Sequence, residues 1–337
     1  MGLDTFRFLT ESTIMGNTYS IITTIAFATA HFFAQLVILS SPEIPKMEIA
    51  FIRCTTQATM LVPFLLLYRV PLTIVGKGQM IIVVSCVTGF VNVTSNYLAF
   101  GLIPLSIVLT ISSTCPIFAI LFSRCILKER CKWIDIVASI LSLVGVLLIA
   151  RPEFIFGKYG AKEDVFHKDV SRSTYDLTYY GGCGLALLTA ITKALYIVMG
   201  RKWSQIYQET RMLLIPNFYV NVAVAILSSF TMLFTGKVMN LPEPLYAKCA
   251  LFSVGLFTAF GEFTMYIAVK LQNAGVVGIL RNLDILYAYF LEYLVLGLSP
   301  NMWSVGGAVT IIMSSIVLFF REKLTFDCER EENQKKN

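Results

Sequence analysis

Of the 337 residues, 56% are hydrophobic and only 14% charged, and the mean hydropathy is +0.71. A soluble domain carries roughly 25% charged residues, so this composition excludes a water-soluble enzyme of this length. The formal charge of +6 does not call for nucleic acid as a partner, because a bias of Lys and Arg toward cytoplasmic loops accounts for it.

A hydrocarbon core of about 30 Å needs about 20 apolar residues in a helix, and ten stretches of about that length follow one another. A short cytoplasmic segment, 1–18, comes first. Stretches 19–40, 48–68, 78–100, 104–123 and 133–150 make a first set of five within 19–151. An extramembrane loop, 152–178, separates them from 179–200, 212–235, 246–269, 273–296 and 302–320, the second set within 179–320. Residues 321–337 form a cytoplasmic tail. With the N-terminus in the cytoplasm, 16 of the 27 Lys and Arg lie inside and 8 outside, five of these from Arg151 to Thr178. Both termini are therefore expected in the cytoplasm. The first stretch is longer than a signal-peptide core and no small-residue cleavage pattern follows it, so no cleaved leader is expected.

Soluble-protein motifs are weak. Eight cysteines and two histidines show no metal-ligand spacing, so neither a metal nor another cofactor is expected, and no disulfide framework. Gly181-Gly182-Cys183-Gly184 opens a membrane helix with no strand before it, which reads as close helix packing and not as a dinucleotide loop. No Gly-x-x-x-x-Gly-Lys loop is present, which argues against transport driven directly by ATP. Asn92-Val93-Thr94 lies inside a span, where no oligosaccharide is expected.

The two sets echo one another at a shift of about 169 residues. Tyr97 and Ala99 meet Tyr266 and Ala268, Leu102 meets Leu271, and Phe118-Ala119 meets Tyr287-Ala288. One more residue of slip sets Trp133 on Trp303, each opening the last helix of its set. An odd number of spans per set implies opposite orientations in the membrane. The expected fold is an all-α polytopic membrane protein, ten transmembrane helices as two inverted five-helix repeats, with a site between the halves near the midplane.

Pro104, Cys115-Pro116-Ile117-Phe118-Ala119, Lys128-Glu129-Arg130, Trp133 and Gly145-Val146 resemble the end of an EamA domain, the repeat unit of the drug/metabolite transporter superfamily. Arg53 resembles the arginine that opens the second helix of that family. Arg151-Pro152-Glu153-Phe154-Ile155-Phe156-Gly157 and Asp284-Ile285-Leu286-Tyr287-Ala288-Tyr289 resemble the G group of solute carrier family 35. The second repeat departs from the pattern, with Ile285 in the place of Pro116 and Leu298-Ser299 in the place of Glu129-Arg130. The resemblance implies a transporter.

Charged residues inside the spans indicate where the site lies, since an unpaired charge at the bilayer centre costs at least about 2.5–3.5 kcal/mol. The spans hold Arg53, Lys193, Glu262, Arg281, Asp284 and Glu292, with His31 among them. Lys193, Arg281, Arg53 and His31 are the candidate substrate ligands, joined by Asn92, Asn96, Tyr97 and Tyr266 on lining faces. Glu262 and Asp284 are candidate coupling groups or counter-ions. Arg281 and Asp284, three apart, share a helical face and are expected to pair, and Glu262 is the expected protein partner of Lys193. Asn217 and Asn221 are further candidates for lining or helix–helix hydrogen bonds.

These features are expected of a secondary transporter that moves a small polar organic anion by alternating access. The alternative is a non-transporting membrane scaffold or regulatory protein. A membrane enzyme comes third, because its one loop histidine, His167, has no recognisable catalytic pattern around it. The expected partners are a small-molecule substrate and the lipid bilayer, without nucleic acid. A homodimer stays open, as does the choice between plasma membrane and Golgi or ER.

Overall fold

Without water to bond to, backbone amides in a bilayer must find partners within their own segment, so long apolar stretches fold as helices. The computed structural model describes residues 3–41, 44–74, 76–103, 105–129, 132–150, 172–236, 242, 244–296 and 302–319. In chain order the helices are α1 (Leu3–Ser40), α2 (Lys46–Leu67), α3 (Lys77–Leu102), α4 (Leu105–Ser112), α5 (Cys115–Phe122) and α6 (Trp133–Ala150), then α7 (Arg172–Ile206), α8 (Leu214–Phe234), α9 (Leu245–Leu271), α10 (Ala274–Leu280), α11 (Leu283–Leu296) and α12 (Met302–Phe319).

Among the described residues, seven helical stretches are long and apolar enough to cross a membrane, one of them, Thr110–Leu127, running from the end of α4 through α5. α6 and α12 carry shorter apolar cores, Trp133–Leu148 and Val305–Leu318. α1 begins at Leu3 and runs without a break through residue 19. The segment 1–18 is therefore mostly the start of the first helix and not a separate piece, since its residues include no proline. α7 likewise begins at Arg172 and takes in the end of the expected loop. The rest of that loop, with His167, and the tail lie outside the described residues, as do the side chains of Ala288 and Glu292.

Two of the expected spans are divided. α4 ends at Ser112 and α5 starts at Cys115, with Pro116 in its first turn. Proline brings no N–H, so the carbonyl of Ser112 loses its helical partner and the helix parts there. α10 ends at Leu280 and α11 starts at Leu283, where no proline stands. The side chain of Asn282 spans the gap, donating from Nδ2 to the Ser113 carbonyl at 3.3 Å and to Ser142 Oγ at 2.9 Å. Ser113 and Asn282 are 169 residues apart, the repeat shift, so equivalent breaks in the two halves touch each other.

The halves interleave. α1 packs on α9, and its counterpart α7 packs on α3, while α2 meets α8 and α6 meets α12. Thr264 of α9 is the counterpart of Ser95 of α3. Thr264 accepts from Thr23 of α1 at 2.9 Å, and Ser95 contacts Thr189 of α7 at 2.9 Å. In lipid these hydroxyl contacts and small residues hold helices together, because apolar surface alone has no preference for protein over lipid tails. Gly145 shows the closeness needed, since a Cβ there would lie 2.8 Å from the Gly307 carbonyl of α12.

The interleaving is uneven along the helices. α10 packs on α5, with Gly278 facing Pro116 and Ala119 and Gly275 facing Ile120, and α7 packs on α9 near the same end. Among the described residues, the counterpart pairs α4 with α11 and α1 with α3 make no comparable packing. These contacts close one end of the bundle, and among the described residues their counterparts do not close the other.

Candidate functional site

α1, α2, α7, α9 and the α10–α11 break bring the charged residues toward one region. His31 is exposed, yet Asp284, Lys193, Arg281 and Arg53 all act on it electrostatically. Charged neighbours on several helices set the space it faces on the protein's polar interior side and not toward the lipid.

Two polar groups flank that space. The first gathers Lys193 of α7 with Arg281 and Asp284 at the break, Cys115 of α5 beside them. Arg281 is buried, 6% exposed, and its guanidinium lies over the Phe27 ring at 4.3 Å, with Nη1 3.6 Å from Met265 Sδ. Among the described residues it makes no ion pair with Asp284, in contrast to the expected pair, and its Nε has no hydrogen-bond partner. The physical reason is the break itself, because the chain passes from one helix to the next through Asn282. The even helical spacing that would set i and i+3 on one face is lost. Lys193 is half-buried and makes no hydrogen bond or ion pair among the described residues.

The second group surrounds Glu262 of α9. Asn221 of α8 donates to its Oε2 at 3.2 Å, and Arg53 acts on it from α2. Gln57 of α2 stands beside the same carboxylate, without a hydrogen bond of good geometry. Glu262 is thus not the partner of Lys193. Its rotation about α9 turns it toward α2 and α8, and Asp284 is the carboxylate nearest the lysine in electrostatic effect. Arg53 Nε and Asn217 Nδ2 are buried with no protein acceptor.

The remaining sequence candidates divide. Asn92 donates to the Thr189 carbonyl of α7 at 2.9 Å, a helix-to-helix contact. Tyr266 is buried and donates to Tyr196 at 3.2 Å, their rings edge to face with centroids 6.4 Å apart. Both are committed to packing. Tyr97 is buried near Arg53, and Asn96 is half-buried on the same helix. Gln57, Phe27, Met265 and Asn282 were not among the sequence candidates. Gln57 and Asn282 carry the signal of an amide within a span, whereas Phe27 is one of 25 phenylalanines and carries none. Among the described residues no group of three or more His, Cys, Asp or Glu converges to hold a metal ion.

Known proteins give the frame for this site. Residues 14–151 and 181–320 each match the EamA-like transporter family. Solute carrier family 35 member G1 of Mus musculus is 26% identical over 302 residues, 89% of this chain and 77% of that protein. A pseudopaline exporter of Pseudomonas aeruginosa is 24% identical over 283 residues, 84% of this chain and 89% of the exporter. A crystal structure that shares 16% identity superposes with a TM-score of 0.69 over 88% of this chain and 95% of the other. That likeness concerns the fold alone. With both repeats matched across most of its length, the chain belongs to the EamA-like transporter family and is an integral, multi-pass membrane protein.

Proposed function

We propose that the protein is a secondary transporter of a small polar organic anion, working by alternating access of a site between two inverted five-helix halves. Ten crossings follow if the seven long helices, the shorter α6 and α12, and α10–α11 in series each traverse the bilayer. The domain limits 19–151 and 179–320, the long outer loop and the cytoplasmic termini belong to the same reading, with 16 of 27 basic residues on the inner side.

The observation that carries the anion is the excess of unanswered donors around His31. Lys193, Arg281 and Arg53 face two carboxylates, Asp284 and Glu262, and the Nε atoms of both arginines are buried without an acceptor. An unpaired buried donor costs about 1–3 kcal/mol, more when charged, and a carboxylate or phosphate oxygen would remove that cost. Divided helices at the midplane are where transporters of several folds hold substrate, and here both breaks meet beside the charges. Asn92 and Tyr266 support the walls of the site, and Tyr97 beside Arg53, with Asn96 on the same helix, is assigned to its lining.

The test is counterflow in proteoliposomes with nucleotide sugars, dicarboxylates and tricarboxylates compared side by side. Saturable exchange of at least one anion, lost in Lys193→Gln, is expected. Folded protein that exchanges no anion in the panel would favour the non-transporting scaffold instead.

A further inference from the structure

The closed end of the bundle is held by one side chain that reaches three segments. Arg201, near the end of α7, donates from Nε to Glu129 Oε1 at 2.9 Å. Its Nη1 donates to the carbonyls of Val269 at 2.8 Å and Lys270 at 2.6 Å, in the last turn of α9. The pair is largely removed from solvent, its side chains 17% and 12% exposed. Glu129 is placed by the turn after α5. Lys128 adopts φ +56°, and the Glu129 amide returns to the Ser123 carbonyl at 3.4 Å. The α5–α6 turn, α7 and α9 are thereby joined next to the α5–α10 contact.

The repeat-equivalent positions of the opposite end cannot form this pair. At the repeat shift, Phe32 stands in the place of Arg201 and Leu298 in the place of Glu129. Neither substitute carries a charge. Two ends that exchange roles in alternating access therefore differ at these positions. A part-buried Arg–carboxylate pair whose guanidinium also holds two backbone carbonyls is costly to open, because each separated partner must be rehydrated.

We propose that Arg201 and Glu129 form a one-sided latch that biases the resting protein toward the state closed at the α5–α10 end. The latch rests on the alternating-access reading given above, and it is tested without reference to substrate. It opens when the pair separates and Arg201 releases the α9 carbonyls, allowing α7 and α9 to part. In the orientation proposed here the closed end faces the cytoplasm.

Cysteine accessibility reads this directly. Val277 is fully buried in α10, in the cluster that includes Cys115 and Ala119 of α5. Val224 is as well buried in α8, in a separate cluster with Val93 of α3. Val277→Cys and Val224→Cys are made separately, each in the parent chain and with Glu129→Gln, which keeps the shape of Glu129 and removes its charge. Maleimide labelling is followed in detergent, where both ends of the protein are open to reagent, with native cysteines subtracted. Labelling at 277 is expected to rise at least fivefold with Glu129→Gln, and labelling at 224 to stay within twofold. An unchanged rate at 277 overturns the latch. An equal rise at both positions overturns it too, since the pair would then be a general staple of the fold. Should Glu129→Gln fail to accumulate, Arg201→Lys keeps the charge and loses the guanidinium that reaches Glu129 and the α9 carbonyls together, and must show the same selective rise or the latch is refuted. A protein that transports nothing would leave these outcomes readable, so failure of the latch and failure of the transport assignment are separate.

Discussion

Lys193→Gln separates a ligand-binding lysine from one that serves packing. Removing the ammonium deletes a repulsion with Arg281 and an attraction to Asp284. These act in opposite senses, and no hydrogen bond or ion pair is lost among the described residues. Folding stability is therefore expected to change by less than about 1 kcal/mol, a small shift of a melting curve for a chain of this size. Substrate binding should change far more. A charge-assisted hydrogen bond contributes about 1.5–3 kcal/mol net, which is roughly a 10- to 150-fold loss of affinity. The assay is counterflow in proteoliposomes across a range of anion concentrations, with a melting curve on the same preparations. Lys193→Arg retains charge but alters its shape, so it should keep partial activity with a changed order of substrate preference. Unchanged affinity in a folded Lys193→Gln protein would refute the reasoning and remove the lysine from the site.

Asn282→Ala strips the side chain that bridges the two breaks to Ser142 and removes its donor to that hydroxyl. It should cost about 1–3 kcal/mol, read as a lowered melting temperature, and an unchanged melt would show that the bridge holds nothing. Gly145→Val forces atoms against the Gly307 carbonyl and Ile311 and should destabilise by about 1–3 kcal/mol. Gly306→Ala, where no atom stands within 4 Å, should be neutral; equal effects from the two would show that α6 and α12 do not pack as described. Single cysteines near Lys162 and Lys335 should label with an impermeant reagent from the non-cytoplasmic side only at the first position, and the reverse pattern would invert the topology.

Much of the helical layout is legible in the sequence because it depends on apolar length alone. The last helix of the first set, 133–150, has the same limits in sequence and structure, bounded by Trp133 and Ala150. The breaks were harder to see. Pro116 marks the first by its missing N–H, but its counterpart is Ile285, so nothing local announces the second. Hydropathy passes over a two-residue interruption whose cause is a side chain bonded across the bundle. The charged set was legible for the same energetic reason that makes such residues rare in lipid, yet its internal pairing was not. Depth along a helix places Glu262 near Lys193, whereas rotation about α9 turns it to Asn221 and Arg53. Rotation is fixed by packing between helices far apart in the chain, which a single sequence does not display.

The interleaving of the halves sets a schedule for how the protein is made. α1 is complete when residue 40 has been synthesised, but its main partner α9 ends at residue 271. At about 5–20 residues per second, α1 stays without that partner for roughly 10–50 s. During that interval its hydroxyl face would meet lipid. The helix carries its own remedy, because Ser20, Thr23 and Thr24 each donate to the carbonyl four residues back, at 2.9, 2.8 and 2.8 Å. Thr23 later takes Thr264 as a further contact, and Thr24 takes the Leu280 carbonyl at 3.3 Å. A truncated chain ending before α9 should therefore insert α1 and keep it in the membrane without its main partner, while α3 with α7 and α2 with α8 are already able to pack.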